Sequence, residues 1–352
     1  MKDIVPKSNC EKPVREGSRN PNREVWESPS FQGGEDVNFT SGATESINLA
    51  IQGSLRDRPL RIALNPLEHK AVLDTCHALA KQGRAELTVL SANRKGQLDL
   101  DEIDRHCANS LDLLCIMAAN NEIGTIYPVE AIARIARNHG VSYLCDASQA
   151  VGKIPLQFRH WGITFLAVSA HKFYGSKGCG ALLVRRNTPL KPLLYGGGHQ
   201  RGLRSGTLNV PGIAGLGEAC RLRSLEMATD EPAIAAKRDR LQTLLQQQIP
   251  DLLVNGDLDN RLAGNLHICV PGIPNSAVIA RVRDRLVIST GSACSSGVET
   301  PSHVLRAIGL SEDAIEGALR IGIGKFTTDE EIDRAAEILV REISEIRSLM
   351  GR

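Results

Sequence analysis

Short apolar runs alternate with amphipathic stretches along the first two-thirds of the chain. The apolar runs predict strands over residues 61–65, 86–90, 113–118, 141–145, 165–168 and 181–184. The spacing of apolar positions predicts helices over residues 46–55, 70–81, 129–138 and 211–227. Because strands and helices alternate, we predict an α/β domain with a mostly parallel, doubly wound sheet that is covered by helices.

The pattern changes beyond about residue 230. A long helix (233–248) is followed by a strand (265–270), short helices, a second strand (319–323) and a charged amphipathic helix (329–350). This order predicts a smaller C-terminal α+β domain. The polar N-terminus shows no periodicity and is predicted to be poorly ordered. The predicted regions are therefore an N-terminal segment over residues 1–36, a large domain over 37–230 and a small domain over 231–352.

Composition and charge argue against several classes of partner. The 352 residues carry a formal net charge of +2, which gives no electrostatic footprint for nucleic acid or for an anionic membrane. No run of about 18 or more apolar residues predicts a membrane span, and the N-terminus has no apolar core of the kind that a secretory signal needs. We therefore expect a cytoplasmic protein.

The nine cysteines include one with an unusual setting. Their number is odd and no Cys-x-x-Cys pair occurs, so neither a disulfide framework nor a metal site is predicted. Cys294, unlike the cysteines within apolar runs, lies in a polar segment rich in serine and glycine. We expect this segment to be a flexible loop on which a thiol can move and react.

Lys172 and Asp146 together indicate a cofactor. Lys172 ends the run Ser169-Ala170-His171-Lys172 after an apolar stretch, and a lysine in such a turn can form a Schiff base with a carbonyl cofactor. A lone lysine is more often solvated. Asp146, however, ends another apolar stretch, where its carboxylate suits a protonated pyridine nitrogen. The pair predicts pyridoxal phosphate.

Two segments are candidates for the phosphate of such a cofactor. The run over residues 40–46 precedes a helix, so that backbone N–H groups, the turn at Gly42 and the Thr44 hydroxyl could bind an anion. The same run is also compatible with an ordinary capping box. A second run over residues 195–207, with glycines, arginines and a hydroxyl, could cradle an anion or form a mobile loop. For each of the two segments, the sequence does not decide between an anion site and the ordinary alternative.

Many ordered motifs resemble one family, the group I cysteine desulfurases, within aminotransferase class V and pyridoxal-phosphate fold type I. The matching motifs include FTSGATESIN (39–48), NNEIG (120–124), DASQ (146–149), SAHKFYGSKGCG (169–180), GGGHQRGLRSGTLN (196–209) and LRIGIGKFTTDEEID (319–333). The resemblance runs from about residue 37 to the C-terminus. The N-terminus departs from it, because residues 1–36 lack the family's Asp-Asn-Ala-Thr-Thr-Pro-type motif and resemble a truncated, atypical form.

The resemblance implies a role for each matching residue. Lys172 is similar to the Schiff-base lysine, Asp146 to the partner of the ring nitrogen, and His69 to the histidine that stacks on the ring and moves protons. Arg320 matches the arginine that binds the substrate carboxylate, and Cys294 matches the catalytic nucleophile. The remaining implied contacts are Asn121 and Gln149 with the ring oxygen, Ala43, Thr44, Ser169 and His171 with the phosphate, and Thr207 with the phosphate of the neighbouring subunit in a homodimer.

The implied activity is desulfuration of L-cysteine. The large domain would bind the cofactor and the small domain would carry the cysteine loop. Cys294 would attack the sulfur of the bound substrate, leaving a persulfide and L-alanine, and the persulfide would pass to an acceptor protein for iron–sulfur assembly or a thiolation pathway. Two alternatives remain. One is a selenocysteine lyase or another β-elimination enzyme, and the other is a non-enzymatic relative that serves as sulfur carrier or binding partner.

Overall fold

The structure is a computed structural model that describes residues 37–290 and 301–351. The predicted N-terminal segment, most of the serine-rich segment around Cys294 and Cys294 itself lie outside the described residues.

Seven strands form the large sheet, and the α/β prediction is confirmed. They are β1 (Val37–Thr40), β2 (Leu60–Leu64), β3 (Ala85–Val89), β4 (Leu113–Cys115), β5 (Ser142–Asp146), β6 (Phe165–Ser169) and β7 (Gly180–Val184). Their order is β1-β7-β6-β5-β4-β2-β3. Strands β2 to β6 are parallel, whereas β7 is antiparallel to both of its neighbours. The carboxyl ends of β1, β2, β4, β5 and β6 therefore meet at one edge.

Helices cover both faces of this sheet. They are α1 (Ala43–Gly53), α2 (Lys70–Lys81), α3 (Leu100–Ala108), α4 (Val129–Asn138) and the short α5 (Phe158–Trp161). Successive residues of a strand enter different cores: Phe165 packs with the α1 and α2 layer, and Leu166 packs with the α3 and α4 layer. Burial on both faces explains why these strands are continuous apolar runs in the sequence.

A second, antiparallel sheet forms the core of the smaller domain. Its strands β8 (Leu253–Val254), β9 (Asn265–Cys269) and β10 (Ala318–Gly322) lie in the order β10-β9-β8. The helices of this part are α7 (Asn275–Val282), α8 (His303–Ala307), α9 (Glu312–Glu316) and α10 (Asp329–Leu349). Helix α10 begins with a complete capping box between Thr328 and Glu331, and its apolar face packs on the small sheet.

One long helix, α6 (Val210–Gln248), replaces the two helices that the sequence predicts over 211–227 and 233–248. Pro232 lies inside it and removes one backbone hydrogen bond. The buried guanidinium of Arg223 spans this region by donating to Asp230 at 2.5 Å and to Glu231 at 2.6 Å. These contacts stabilise the helix before the proline, and buried apolar residues, Met227 and Ile234, lie on either side of it. The predicted domain boundary at residue 230 falls inside α6 and stays a prediction.

Strand β4 is shorter than the strand predicted over 113–118. On the β2 side the ladder ends after Cys115, where the Met117 N–H donates instead to the buried carboxyl group of Glu68 at 2.6 Å, whereas hydrogen bonds with β5 continue as far as Ala118. The short edge strand β1 and the polar helix α3 have no counterpart among the elements predicted from the sequence.

An apolar cluster joins the two sheets beside the carboxyl edge. Leu67 and Ile123, from loops that follow β2 and β4, pack with Cys269, Leu305 and Ala318 from the smaller domain. This packing holds β10 against the large sheet. Separately, no helix within the described ranges is both long enough and apolar enough to cross a membrane.

Candidate active site

The carboxyl edge of the large sheet opens into a cavity of about 550 Å³. Ligands bind at this edge in open α/β sheets, and the volume suits a small molecule. Most of the predicted site residues line this cavity: Ala43, Thr44, His69, Asn121, Asp146, Gln149, Ser169, His171, Lys172 and Arg320. Thr207 is exposed and is not among the lining residues. Cys294 lies outside the described residues.

Lys172 lies on the turn that follows β6, with its side chain open to the cavity. Its ammonium has no hydrogen bond or ion pair with any residue in the described ranges. Burial lowers the pKa of Lys172, and the positive charge of Arg320 lowers it further, whereas Asp146 opposes the shift. A lowered pKa increases the fraction of neutral amine, which is the nucleophilic form.

Asp146 ends β5 and is 7% exposed. Its Oδ1 accepts hydrogen bonds from the Ser148 N–H at 2.9 Å and from the Ser148 hydroxyl at 2.5 Å. These bonds fix the carboxylate and leave Oδ2 without a hydrogen-bond donor among the described residues. Asp146 can therefore accept a hydrogen bond from a cationic group in the cavity.

The N-terminus of α1 is open to the same cavity. The N-cap residue is Gly42, and no side chain caps the first turn. Its φ of +153° is a conformation that residues with a side chain rarely adopt. Nearby, a Cβ on Gly180 would lie 2.6 Å from Gly42 Cα, so glycine is needed there as well. The capping box that the sequence allowed is absent from this helix. Because the N–H groups of its first turn are uncapped, the structure favours the anion-binding interpretation.

Glu45, in the first turn of α1, would oppose an anion unless its charge were compensated. Its carboxylate turns back to accept from the Ser41 N–H at 2.7 Å and pairs with Arg204 at 2.7 Å and 3.2 Å. Burial acts to raise the pKa of Glu45, but the bonds from Arg204 and Ser41 outweigh it and lower that pKa. Arg204 thus neutralises the carboxylate and ties the 195–207 segment to α1.

Arg320 reaches the cavity from β10. Its Nη1 donates to the Asn121 carbonyl at 2.9 Å and its Nε donates to the Ser289 hydroxyl at 3.3 Å. Two backbone hydrogen bonds with Ser289, at 2.7 Å and 3.2 Å, fix the strand at this point. Nη2 has no acceptor within the described ranges. The guanidinium is therefore held by both domains and can still bind a carboxylate.

His69 is the N-cap of α2. Its Nδ1 accepts from the Ala71 N–H at 3.1 Å, which leaves Nε2 to carry the proton of the neutral ring. A ring held in this way presents Nε2, rather than Nδ1, to the cavity. His69 can therefore hold or release a proton at Nε2.

Glu68 precedes the site residue His69 and has no role assigned from the sequence; it is not among the residues that line the cavity. It is 1% exposed, and its Oε2 has no hydrogen-bond partner in the described part of the chain. Burial raises the pKa of Glu68 well above its usual range, and the charge of Asp146 adds to the shift. Its carbonyl also accepts from His303, which lines the cavity, at 2.9 Å. The neighbouring His69 is a predicted site residue, but only the fold reveals the burial of Glu68.

Replacing Glu68 by glutamine should change how stability depends on pH. The folded protein keeps a proton that the unfolded chain releases above the ordinary glutamate pKa, so the wild type loses stability as pH rises above that ordinary value and toward the raised pKa of the folded state. Glu68→Gln cannot ionise. Its free energy of unfolding in urea should therefore increase relative to that of the wild type over this range. The matched control is Glu86→Gln at an exposed position of β3, and a pH-independent difference for Glu68→Gln would contradict the assignment.

Comparison with known proteins identifies the family of the chain. The sequence profile of aminotransferase class-V matches residues 30–335. The chain belongs to aminotransferase class V. It is 42% identical to cysteine desulfurase IscS of Anaeromyxobacter dehalogenans (strain 2CP-C), over 90% of this chain and 79% of that protein. The family prediction is therefore confirmed.

Two solved structures are similar along most of the chain. A NifS-like protein superposes with a TM-score of 0.82 and 32% identity, covering 94% of this chain and 87% of the other. The structure of SspA in complex with cysteine gives a TM-score of 0.73 and 32% identity, covering 88% of this chain and 87% of the other. The large mostly parallel sheet with a smaller antiparallel domain is thus the fold of this family.

Proposed function

We propose that the chain is a pyridoxal-phosphate-dependent cysteine desulfurase, which converts L-cysteine to L-alanine and passes the sulfur to an acceptor protein. One observation carries the proposal: Lys172, Asp146 and the uncapped N-terminus of α1 line a single cavity together with Arg320. Membership of aminotransferase class V implies the cofactor, and the similar proteins named cysteine desulfurase support the reaction.

The residues of the cavity fit pyridoxal phosphate. Lys172 offers a free amine for the aldehyde, Asp146 an unpaired carboxylate oxygen for the ring nitrogen, and the first turn of α1 unpaired N–H groups for the phosphate. Thr44, Ser169 and His171 would add donors at the phosphate, and Asn121 and Gln149 would contact the ring oxygen. When bound, the cofactor supplies an electron-withdrawing ring that stabilises negative charge at the substrate α-carbon.

The substrate is oriented by groups of both domains. Arg320 would bind the carboxylate of L-cysteine through its free Nη2, while the Asn121 carbonyl and Ser289 keep the guanidinium in place. His69, with its proton at Nε2, is suited to stack on the ring and to move a proton. The lowered pKa of Lys172 lets its amine take up a proton from the α-carbon and return it.

Sulfur transfer is assigned to Cys294, which matches the family nucleophile. Its thiolate attacks the substrate sulfur, an S–S bond forms, the substrate C–S bond breaks, and the carbon takes a proton to become the alanine methyl group. One cysteine and one thiol thus become one alanine and one persulfide, without an external oxidant. The acceptor, its pathway in iron–sulfur assembly or thiolation, and a cytoplasmic location remain predictions from the sequence.

The products of turnover test the proposal and separate it from the alternatives. The purified protein should show, or gain on adding pyridoxal phosphate, the visible absorbance band of a Schiff base, and should release alanine and sulfide from L-cysteine with a reductant. A protein with no band would be the non-enzymatic sulfur carrier or binding partner. Pyruvate with ammonia in place of alanine would identify β-elimination, and turnover of selenocysteine alone would identify a selenocysteine lyase.

We also propose a homodimer in which Thr207 contacts the phosphate bound by the neighbouring subunit. Thr207 is exposed and does not line the cavity of its own chain. The apolar side chains around it are exposed too, with Tyr195 at 81%, Val210 at 65% and Leu194 at 45%. A surface of this kind is typical of an interface between subunits.

Mixed dimers test the place of Thr207. Lys172→Ala and Thr207→Ala should each have low activity at limiting cofactor, but their co-expression should restore about one quarter of wild-type activity. Each mixed dimer then contains one site with both Lys172 and a partner Thr207. Differently tagged subunits allow the mixed dimer to be isolated and assayed. Activity no higher than the mean of the two parents would show that Thr207 serves the site of its own chain.

A further inference from the structure

Lys153, which is not among the predicted site residues, contacts Gln149, which is proposed to contact the cofactor. Gln149 lines the cavity, and Lys153 lies one helical turn further along the chain. Backbone bonds from Val151 to Ala147 and from Ile154 to Ala150, both 3.0 Å, form that turn and place the two side chains on the same side. The Lys153 ammonium donates to Gln149 Oε1 at 3.1 Å.

This bond selects one of the two orientations of the Gln149 amide. An amide has an oxygen that accepts and an NH₂ group that donates, whereas an ammonium can only donate. Lys153 therefore favours the orientation with Oε1 toward itself, and Nε2 is left as the end that is free to donate. Nε2 has no acceptor within the described ranges. A phenolic oxygen of a pyridine ring is an acceptor, so it requires this orientation rather than the flipped one.

Lys153 lies beside charged residues of helix α6. Its side chain is partly buried, and burial lowers its pKa to about 8, although the nearby carboxylate of Glu231 acts in the opposite direction. Lysine at neutral pH is therefore still mostly an ammonium. Glu231 is itself held by Arg223 at 2.6 Å, and Arg223 also donates to the Gly152 carbonyl at 2.8 Å.

We propose that Lys153 is a positioning residue, which holds Gln149 with its amide NH₂ directed to the ring oxygen of the bound cofactor. This inference rests on the proposed function, because it takes pyridoxal phosphate as the occupant of the cavity. It adds a residue that touches neither cofactor nor substrate and acts only through Gln149. An ordinary local pair of neighbouring side chains would have no such effect on cofactor binding.

Cofactor affinity, measured without turnover, tests the proposal. The apoprotein is titrated with pyridoxal phosphate, and the dissociation constant is read from absorbance or fluorescence. Lys153→Met should weaken binding about fivefold to tenfold, the effect of one lost hydrogen bond to a charged or polar group. Lys153→Gln should weaken it as well, because glutamine also accepts and no longer selects one orientation. Lys153→Arg should stay within about twofold of the wild type, since guanidinium is also a pure donor.

A double-mutant cycle separates positioning from a general structural role. In the Gln149→Ala background, Lys153→Met should change the dissociation constant by less than about twofold, because no amide remains to be oriented. Lys81→Met, at an exposed lysine in the last turn of α2, is the matched control and should have no effect. Urea unfolding of each apoprotein checks that the variants fold. If Lys153→Met does not fold, Lys153→Gln takes its place in the cycle.

Three results would overturn the inference. The first is an equal weakening of cofactor binding by Lys153→Met in the wild-type and Gln149→Ala backgrounds. The second is unchanged cofactor affinity in both Lys153→Met and Lys153→Gln. The third is a weakening of cofactor binding by Lys153→Arg as large as that caused by Lys153→Met. A wild-type protein that binds no pyridoxal phosphate at all is a different result, because it removes the proposed function itself.

Discussion

Lys172→Ala is expected to abolish the visible absorbance band and to reduce alanine formation by about a thousandfold or more, since both the Schiff base and the proton-transferring amine are lost. Lys172 is placed for this role by the turn after β6, by an ammonium that has no partner among the described residues, and by its lowered pKa. Absorbance spectra of the purified variant, followed by amino-acid analysis of reactions with L-cysteine, measure the two effects.

A second lysine of the same cavity provides the control. Lys177 also lines the cavity, but it lies beyond the turn and does not occupy the position that matches the family lysine. Lys177→Ala should therefore keep the absorbance band. Loss of the band in Lys177→Ala, with the band intact in Lys172→Ala, would transfer the Schiff base to Lys177.

Cys294→Ala should retain the absorbance band and still respond spectrally to L-cysteine, yet release no sulfide with a reductant. The described cysteines are poor substitutes, because all are buried. Burial raises the pKa of Cys107 to about 11 and that of Cys220 to about 12, so that thiolate is scarce at neutral pH. Sulfide released over time is measured for the variant and the wild type under the same conditions.

Cys10 is the informative control, since it is the other cysteine outside the described residues. Cys10→Ala should release sulfide at the wild-type rate. Normal release from Cys294→Ala together with loss of release from Cys10→Ala would move the nucleophile to Cys10. Normal release from both variants would instead favour elimination without a protein nucleophile.

Much of the large sheet was predictable because its strands are buried on both faces. Residues such as Phe165 and Leu166 are both apolar since each enters a different core, and the resulting runs place the strands to within about one residue, except at the end of β4. Asp146 ends β5 and Lys172 follows β6, and because these strands are adjacent and parallel in the structure, the two residues meet at one edge. The cavity then brings them together with Ala43 and Thr44.

Features that depend on distant contacts were not predictable. Helix α6 continues through Pro232, with the buried side chains of Met227 and Ile234 on either side of it, and a propensity argument does not include such packing. The burial of Glu68 and the bond from Arg320 to the Asn121 carbonyl join segments that are far apart in sequence. The choice between capping box and anion site at Gly42 likewise needed the backbone conformation.

The fate of the substrate sulfur tests the account most directly. The wild-type protein is mixed with L-cysteine without a reductant, digested, and analysed by mass spectrometry, while alanine is quantified in the same sample. The account predicts one added sulfur atom on the peptide that contains Cys294 and an equal amount of alanine in the first turnover. Alanine and free sulfide formed with Cys294 unmodified, or the added sulfur on another cysteine, would contradict it.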